Sequence, residues 1–349
     1  MMKRRMVSLV LYFLILCLFL SAATSLSSCK GKAPKGELQK VDFVIDWKPS
    51  VDYGYIDYVG YYVAAELGYY KEEGIEINFK HLDGAPFSAE LIGTGQSFIG
   101  ATTADKLVIA KAGKDVSKKL PIKAVATVFS SNPVVIASIS SKPIVRIEDM
   151  NGKRLGINRE SVFFRQFELL ASHKEKNLKD VKYVDVGWGG TEELLKGQID
   201  ALLAYTTGRP VHLELQLKKP GDPRVLRLPL KDVDRDFNII GQVIAVYEPS
   251  LSDPNKLEQI KKIVRASLKG WAAVKKNPRE ALEIYLRKYP TTERYFAGKA
   301  LEWTGTLVSD DVGSAKVRED EWEKTIKLMK AMNVIAADYM PKDFYSEVN

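Results

Sequence analysis

Cysteine and histidine are scarce in this chain, and their scarcity removes whole classes of chemistry. Of 349 residues only two are cysteine and three are histidine. Cys17 lies inside an N-terminal apolar run and Cys29 just beyond it, so the folded part downstream offers no disulfide, no redox pair and no Cys-ligated metal. His81, His173 and His212 are scattered without metal-ligand spacing, and a His-based nucleophile system lacks its parts as well. There is no phosphate-loop sequence, and Gly93-x-Gly95 followed by Gly100 has the wrong spacing for a dinucleotide loop. No cofactor and no metal are expected. An excess of one charge is missing too. With Lys3, Arg4 and Arg5 set aside, 49 basic residues face 44 acidic ones, a net +5, and the signs are interleaved. That is the pattern of a solvated surface, not of a nucleic-acid stripe.

One long apolar run is present, and it stands at the N-terminus. Lys3, Arg4 and Arg5 precede residues 6–20, which are interrupted only by Ser8, and Leu26-Ser27-Ser28-Cys29 follows. The arrangement is that of an export signal. Its end resembles the lipobox of bacterial lipoproteins, in which the cysteine is acylated and the chain is cut before it. Cys29 is then the expected lipid-bearing residue, residues 1–28 the signal and 29–40 a tether rich in Lys, Gly and Pro. An ordinary signal peptide or an uncleaved anchor is the alternative, since residues 6–23 approach the roughly 20 that a membrane helix needs. The expected location is extracytoplasmic, on a membrane surface.

About 320 residues remain beyond the signal, more than one hydrophobic core usually organises, so two lobes are expected. Apolar periodicity predicts a strand over 41–46, a helix over 61–73 and a strand over 75–81, a β-α-β unit. Strands at 97–100, 122–129 and 134–139 and a helix at 103–112 complete a first set. A second set restarts the alternation: strand 154–157, helix 161–174, strand 181–186, helix 191–195 and strand 199–205. Strand 242–247, an amphipathic helix over 254–276 and helices over 279–288 and 319–332 close the chain. Leu257, Ile260, Val264, Leu268, Trp271 and Val274 share one face of the long helix.

Such alternation implies an α/β fold of mixed, mostly parallel sheets with helices on both faces, and such sheets bind ligands beyond the carboxyl ends of their strands. Two lobes place a cleft there. The candidate site residues are those at strand ends: Asp46 and Trp47 after the first strand, Thr102 and Thr103 after the strand ending at Gly100, and Asn132 near a crossing. Arg159, Ser161 and Phe163 stand at a strand-to-helix junction, where free helix N–H groups favour acceptors. Trp188 and Tyr205 each end a strand. Gly187-Trp188-Gly189-Gly190 reads as a tight turn that exposes Trp188 to the cleft.

Several of these residues also carry a resemblance. Asp46-Trp47-Lys48-Pro49, Gly60-Tyr61-Tyr62-Val63-Ala64 and Gly68-Tyr69-Tyr70-Lys71-Glu72-Glu73-Gly74-Ile75 resemble the opening of solute-binding proteins of ABC importers. The branch is the one that includes thiamine-precursor, riboflavin and alkylsulfonate binders. Later landmarks keep their order: Gly100-Ala101-Thr102-Thr103-Ala104-Asp105, Asn132-Pro133-Val134-Val135, Glu148-Asp149-Met150-Asn151-Gly152-Lys153 and Leu195-Lys196-Gly197-Gln198-Ile199-Asp200-Ala201. The resemblance implies a two-lobed periplasmic-binding-protein fold of type II. Residues 41–138 and 239–349 would form the first lobe and 139–238 the second. It also implies closure on one small molecule, delivery to the transmembrane subunits of a permease, a monomer and no catalysis.

Seven of the sixteen tyrosines, Tyr53, Tyr55, Tyr58, Tyr61, Tyr62, Tyr69 and Tyr70, crowd between the first strand and the end of the first helix. Tyr62, Tyr69 and Tyr70 are expected to pack the helix on its sheet, whereas Trp47 and Tyr58 are expected to stack on a flat ring. Thiamine-precursor binders tend to carry Asn shortly after the Trp-x-Pro and His two residues before the Gly; here Ser50 and Tyr58 stand instead. The longer tyrosine-rich loop suits a larger ring such as a flavin, or a lid that packs on itself. For a sulfonate or nitrate, Thr102, Thr103, Ser161 and Arg159 are the available groups. The thiamine-pyrimidine synthases resemble this family but depend on a cysteine-rich iron motif, which this chain lacks.

Overall fold

The computed structural model describes residues 37–47, 56–82, 85–115, 117–172, 178–314, 317–336 and 338–348. Cys17, Cys29 and the export signal lie outside them, as do Ser50, Tyr53, Tyr55 and His173.

The elements run β1 (Gln39–Ile45), α1 (Val59–Glu66), β2 (Ile75–His81), α2 (Ala85–Gly93), β3 (Ile99–Thr103), α3 (Ala104–Ala112), β4 (Ile122–Thr127) and β5 (Val134–Ile139). Next come β6 (Arg154–Ile157), α4 (Val162–Ser172), β7 (Lys182–Asp185), α5 (Thr191–Leu195), β8 (Ala201–Tyr205), α6 (Arg209–Gln216), β9 (Val225–Pro229) and β10 (Gln242–Tyr247). Four helices finish the chain: α7 (Pro254–Lys276), α8 (Pro278–Lys288), α9 (Arg294–Gly305) and α10 (Glu319–Ala331).

The strands form two five-stranded sheets, ordered β2-β1-β3-β10-β4 and β7-β6-β8-β5-β9. In the first, β10 runs antiparallel to both β3 and β4, while β1 pairs parallel with β2 and β3. In the second, β5 runs antiparallel to β8 and β9, and β6 pairs parallel with β7 and β8. Each sheet therefore has one reversed strand in its fourth place, and that strand is the first to enter its sheet after a crossing from the other. The crossings are residues 128–133 and 230–241.

Three expectations change in detail. Alternation groups residues 134–139 with the first set of strands, but they pair with β8 and β9 in the second sheet; alternation alone does not say which sheet a strand joins. The single helix over 61–73 is broken at Gly68, whose φ of 79° is left-handed and stops α1 before a short turn of helix at Tyr69–Glu72. Thr102 and Thr103 end β3 and do not follow it, with Thr103 opposite Gln242. Helices α2, α6 and α9 and strand β9 were not anticipated.

The long helix α7 shows how local chemistry sets an element. The Asp253 carboxylate accepts from the backbone N–H of Asn255 at 2.8 Å and of Lys256 at 3.2 Å, Pro254 opens the first turn, and Asn277 both ends α7 and caps α8. Its inner face, Ile260, Ile263, Val264, Leu268, Trp271 and Val274, is buried in the first core with Tyr61, Tyr62, Tyr70 and Phe43. Trp271 meets Tyr61 and Phe129 edge-on at centroid distances of 5.7 and 5.4 Å. The tyrosine cluster is thus largely core, as expected for Tyr62 and Tyr70, while Tyr69 is half-buried. A second apolar core runs from Leu107 and Val108 of α3 to Phe163 and Phe167 of α4, so it spans both sheets.

Candidate functional site between the sheets

Where the carboxyl ends of β3 and β8 face each other, the two crossings and α4 enclose a cavity of about 20 Å³. That is room for roughly one water. Thr103 and Asp105 come from the β3–α3 junction, Asn132 and Pro133 from the first crossing with Val134 at the start of β5, and Ile239, Ile240 and Gly241 from the second. Val162, Phe163 and Gln166 of α4 and Tyr205 at the end of β8 complete the wall.

Its polar groups are few and placed. Asn132 Nδ2 donates to Gln166 Oε1 at 3.0 Å, and Gln166 Nε2 donates to the backbone carbonyl of Phe237. Thr103 Oγ1 is buried without a partner among the described residues. Phe163 lies 5.2 Å from Tyr205 and 6.2 Å from Trp188, ring centre to ring centre, so three aromatic residues from one half stand together. Trp188 is 56 % exposed, on a turn whose Gly187 and Gly190 have φ of 54° and 105°. A side chain at Gly190 would collide with Leu202 besides adopting a disfavoured backbone. The Arg209 guanidinium fixes this turn by donating to the carbonyls of Gly189 at 2.6 Å and Leu203 at 3.0 Å.

Two further carboxylates stand out, Asp46 buried and Asp57 partly buried. Asp46 accepts from the Ser88 hydroxyl and from Tyr58 Oη at 3.4 Å, and Ser88 Oγ is 2.9 Å from Thr102 Oγ1. Burial, reinforced by the nearby Asp105, pushes the Asp46 carboxyl well above the usual carboxylate range. Asp57 accepts from Thr304 Oγ1 at 2.8 Å and Thr207 Oγ1 at 3.0 Å, one hydroxyl from each half of the molecule, and burial raises it too. Gln242 Nε2 donates to the Asp57 carbonyl at 2.9 Å, and Gln242 Oε1 accepts from Tyr61 at 3.0 Å.

Of the residues singled out from sequence, Thr103, Asn132, Phe163 and Tyr205 line the cavity, and Trp188 stands beside it. Tyr58 and Thr102 belong to the buried Asp46 cluster, while Trp47 packs half-buried against the first core. Ser161 is committed locally: its hydroxyl donates to the Asn158 carbonyl at 2.6 Å and accepts from the Phe164 N–H, capping α4. Arg159 points outward, with its side chain 58 % exposed and 4.0 Å from Asp185. Sequence reasoning missed Asp57, Gln166, Thr207, Arg209 and the 239–241 crossing. Gln166 left a signal, as a polar residue three and four positions from Phe163 and Leu170 on the apolar stripe of α4. Among the described residues no group of three or more His, Cys, Asp or Glu could hold a metal ion.

A family model described as NMT1/THI5 like matches residues 56–281, well over half of the chain. The chain belongs to the NMT1/THI5-like family. It is similar to the riboflavin-binding protein RibY of Chloroflexus aurantiacus, 27 % identical over 97 % of this chain and 95 % of that protein. It is also similar to the 4-amino-5-hydroxymethyl-2-methylpyrimidine phosphate synthase THI13 of Saccharomyces cerevisiae, 22 % identical over 86 % of this chain and 85 % of that one. Among solved structures, the periplasmic aliphatic sulphonate binding protein SsuA from Escherichia coli superposes with a TM-score of 0.64 at 13 % identity, covering 89 % of this chain and 92 % of that one. That likeness identifies the periplasmic-binding-protein fold. Family membership thus joins binding proteins and a synthase, and the site must decide between them.

Proposed function

We propose that this NMT1/THI5-like protein is the extracytoplasmic substrate-binding component of an ABC importer, and that it captures an uncharged aromatic N-heterocycle of the flavin or pyrimidine kind between two lobes. The lobes are the two sheets with their helices. Cys29, in the N-terminal sequence, is the proposed lipid anchor, the transmembrane subunits of a permease are the proposed partner, and the protein acts as a monomer.

The observation that carries this reading is the make-up of the wall. Phe163 and Tyr205 offer ring faces, Asn132, Gln166 and Thr103 offer polar edges, and Asp105 supplies the charge; among the described residues no lysine or arginine lines the cavity. Aromatic faces with a few convergent polar groups suit a flat neutral ring. An anion such as a sulfonate would meet the Asp105 carboxylate, and Arg159 is turned away. For a synthase the cysteine-rich iron motif is missing, so binding without covalent chemistry is the reading that the residues support.

A thermal-shift screen of the full chain in detergent against riboflavin, 4-amino-5-hydroxymethyl-2-methylpyrimidine, taurine and an alkylsulfonate tests it, because a ligand that binds only the native state raises its apparent stability. A shift with one of the two heterocycles is expected. A shift with the sulfonates alone would overturn the neutral-ring assignment.

A further inference from the structure

The orientation of two amides in the wall dictates which hydrogen-bonding edge a ligand must present. Gln166 is fully buried on α4, and its Nε2 donates to the carbonyl of Phe237, an oxygen that can only accept. That bond fixes the Gln166 amide, leaving Oε1 toward Asn132. An acceptor there requires a donor opposite, so Asn132 must turn Nδ2 to it, as the 3.0 Å contact shows. The Asn132 backbone is fixed as well, its N–H donating to the Ile239 carbonyl at 2.7 Å across the two crossings. What is left over on the Asn132 side chain is Oδ1, an acceptor with no hydrogen-bond partner among the described residues, on a residue that lines the cavity.

We infer that the Asn132–Gln166 pair is the specificity determinant of this site: it holds Asn132 Oδ1 as a fixed acceptor, so the ligand must bury an N–H donor at that edge of its ring. The Thr103 hydroxyl, also unpartnered and on the same wall, can rotate to donate or accept, and so takes whichever group neighbours that N–H. Ring imides and exocyclic amines satisfy the pair. Their N-methylated analogues do not, and neither does nitrate or a simple alkylsulfonate, which carries no donor. A buried acceptor left unpaired costs about tenfold or more in affinity. The assignment rests on the neutral-ring reading above and specifies its recognition chemistry.

The test is calorimetric titration of the full chain in detergent with two matched pairs of probes: riboflavin against its 3-methyl derivative, and 4-amino-2-methylpyrimidine against the 4-dimethylamino compound. The wild-type protein is expected to bind one parent, and to bind that parent about tenfold or more tightly than its methylated partner. Replacing Gln166→Met frees the Asn132 amide to turn over, and the preference is expected to shrink to about threefold or less. The wild-type comparison stands even if that variant fails to fold. Equal binding of parent and methylated probe would overturn the inference and leave the neutral-ring reading intact. Binding of neither parent would overturn both.

Discussion

Asp46 is 1 % exposed, yet it carries a carboxyl that must give up a proton to become charged. Burial and the neighbouring Asp105 raise its pKa in the folded protein, whereas the unfolded chain titrates near the ordinary value of 3.8. Between those two values the folded state holds the extra proton, so this group's contribution is most favourable at low pH. It is lost as pH rises through the folded pKa. Glu321, pushed up to about 7 by burial, adds a component of the same sign, so the informative comparison is variant against wild type. Asp46→Asn keeps the shape and removes the titration. Its melting temperature relative to wild type is expected to rise by about 2–4 °C or more between about pH 4 and about pH 8. A difference that does not change with pH would show that Asp46 is ionised in the folded protein at a normal pKa. The same residue shows what was legible in sequence. That Asp46 ends the first strand followed from alternation, but its depth depends on Ser88 and Tyr58 arriving from other elements, and a linear pattern carries no such information. Ser161 is held by a local bond instead, since a hydroxyl at a helix start caps that helix before it serves a ligand, and Arg159 stands exposed beside Asp185.

Between elements, α1 and α7 approach closely where they cross. A Cβ built on Gly270 would fall on the Gly60 carbonyl oxygen and lie 2.6 Å from Ala64 Cβ, so the two helices touch backbone to backbone there. Gly270→Ala must push them apart and is expected to cost about 1–3 kcal/mol. Gly298 sits in α9 with its nearest neighbour, Leu282 Cδ2, at 3.7 Å from a built Cβ, an ordinary contact. Gly298→Ala is therefore expected to stabilise by roughly 0.5–1 kcal/mol through helix propensity. Denaturant titration of both variants checks the pair, and a loss at Gly298 as large as that at Gly270 would sink the packing argument. Element identity was readable where a hydrophobic face repeats, as in α7, where five of the six anticipated residues, Ile260, Val264, Leu268, Trp271 and Val274, are buried and Leu257 is partly so. It was not readable in β9, whose five residues are all half-buried and so show no alternation. Sheet membership was harder still. Strand β5 is as apolar as the strands before it, and only its antiparallel pairing with β8 and β9 places it in the second sheet.

At the scale of the molecule, contacts outside the cavity lining also hold the two halves together. Arg227 of β9, its side chain 4 % exposed, pairs with Glu214 at 2.6 Å and stacks its guanidinium 4.3 Å over the ring of Trp303 in α9. His212 of α6 packs against Phe296 of α9 at 4.6 Å, and Thr207 bonds Asp57. All three join the second-sheet half to the first. A ligand that binds only the closed form has an apparent affinity scaled by the fraction of protein that is closed. Weakening such a contact therefore lowers affinity without touching the wall of the site. Trp303→Ala removes a desolvated cation–π contact, for which about 2 kcal/mol is a reasonable scale, so the closed form should lose about tenfold or more relative to the open one. If the open form already predominates without ligand, that loss passes in full to the affinity for whichever ring the protein binds. The preference for an N–H over an N-methyl edge is expected to stay as in the wild type, because Asn132 and Gln166 are undisturbed. A variant that changed the preference and spared the affinity would mean that α9 shapes the cavity itself and does not act through closure.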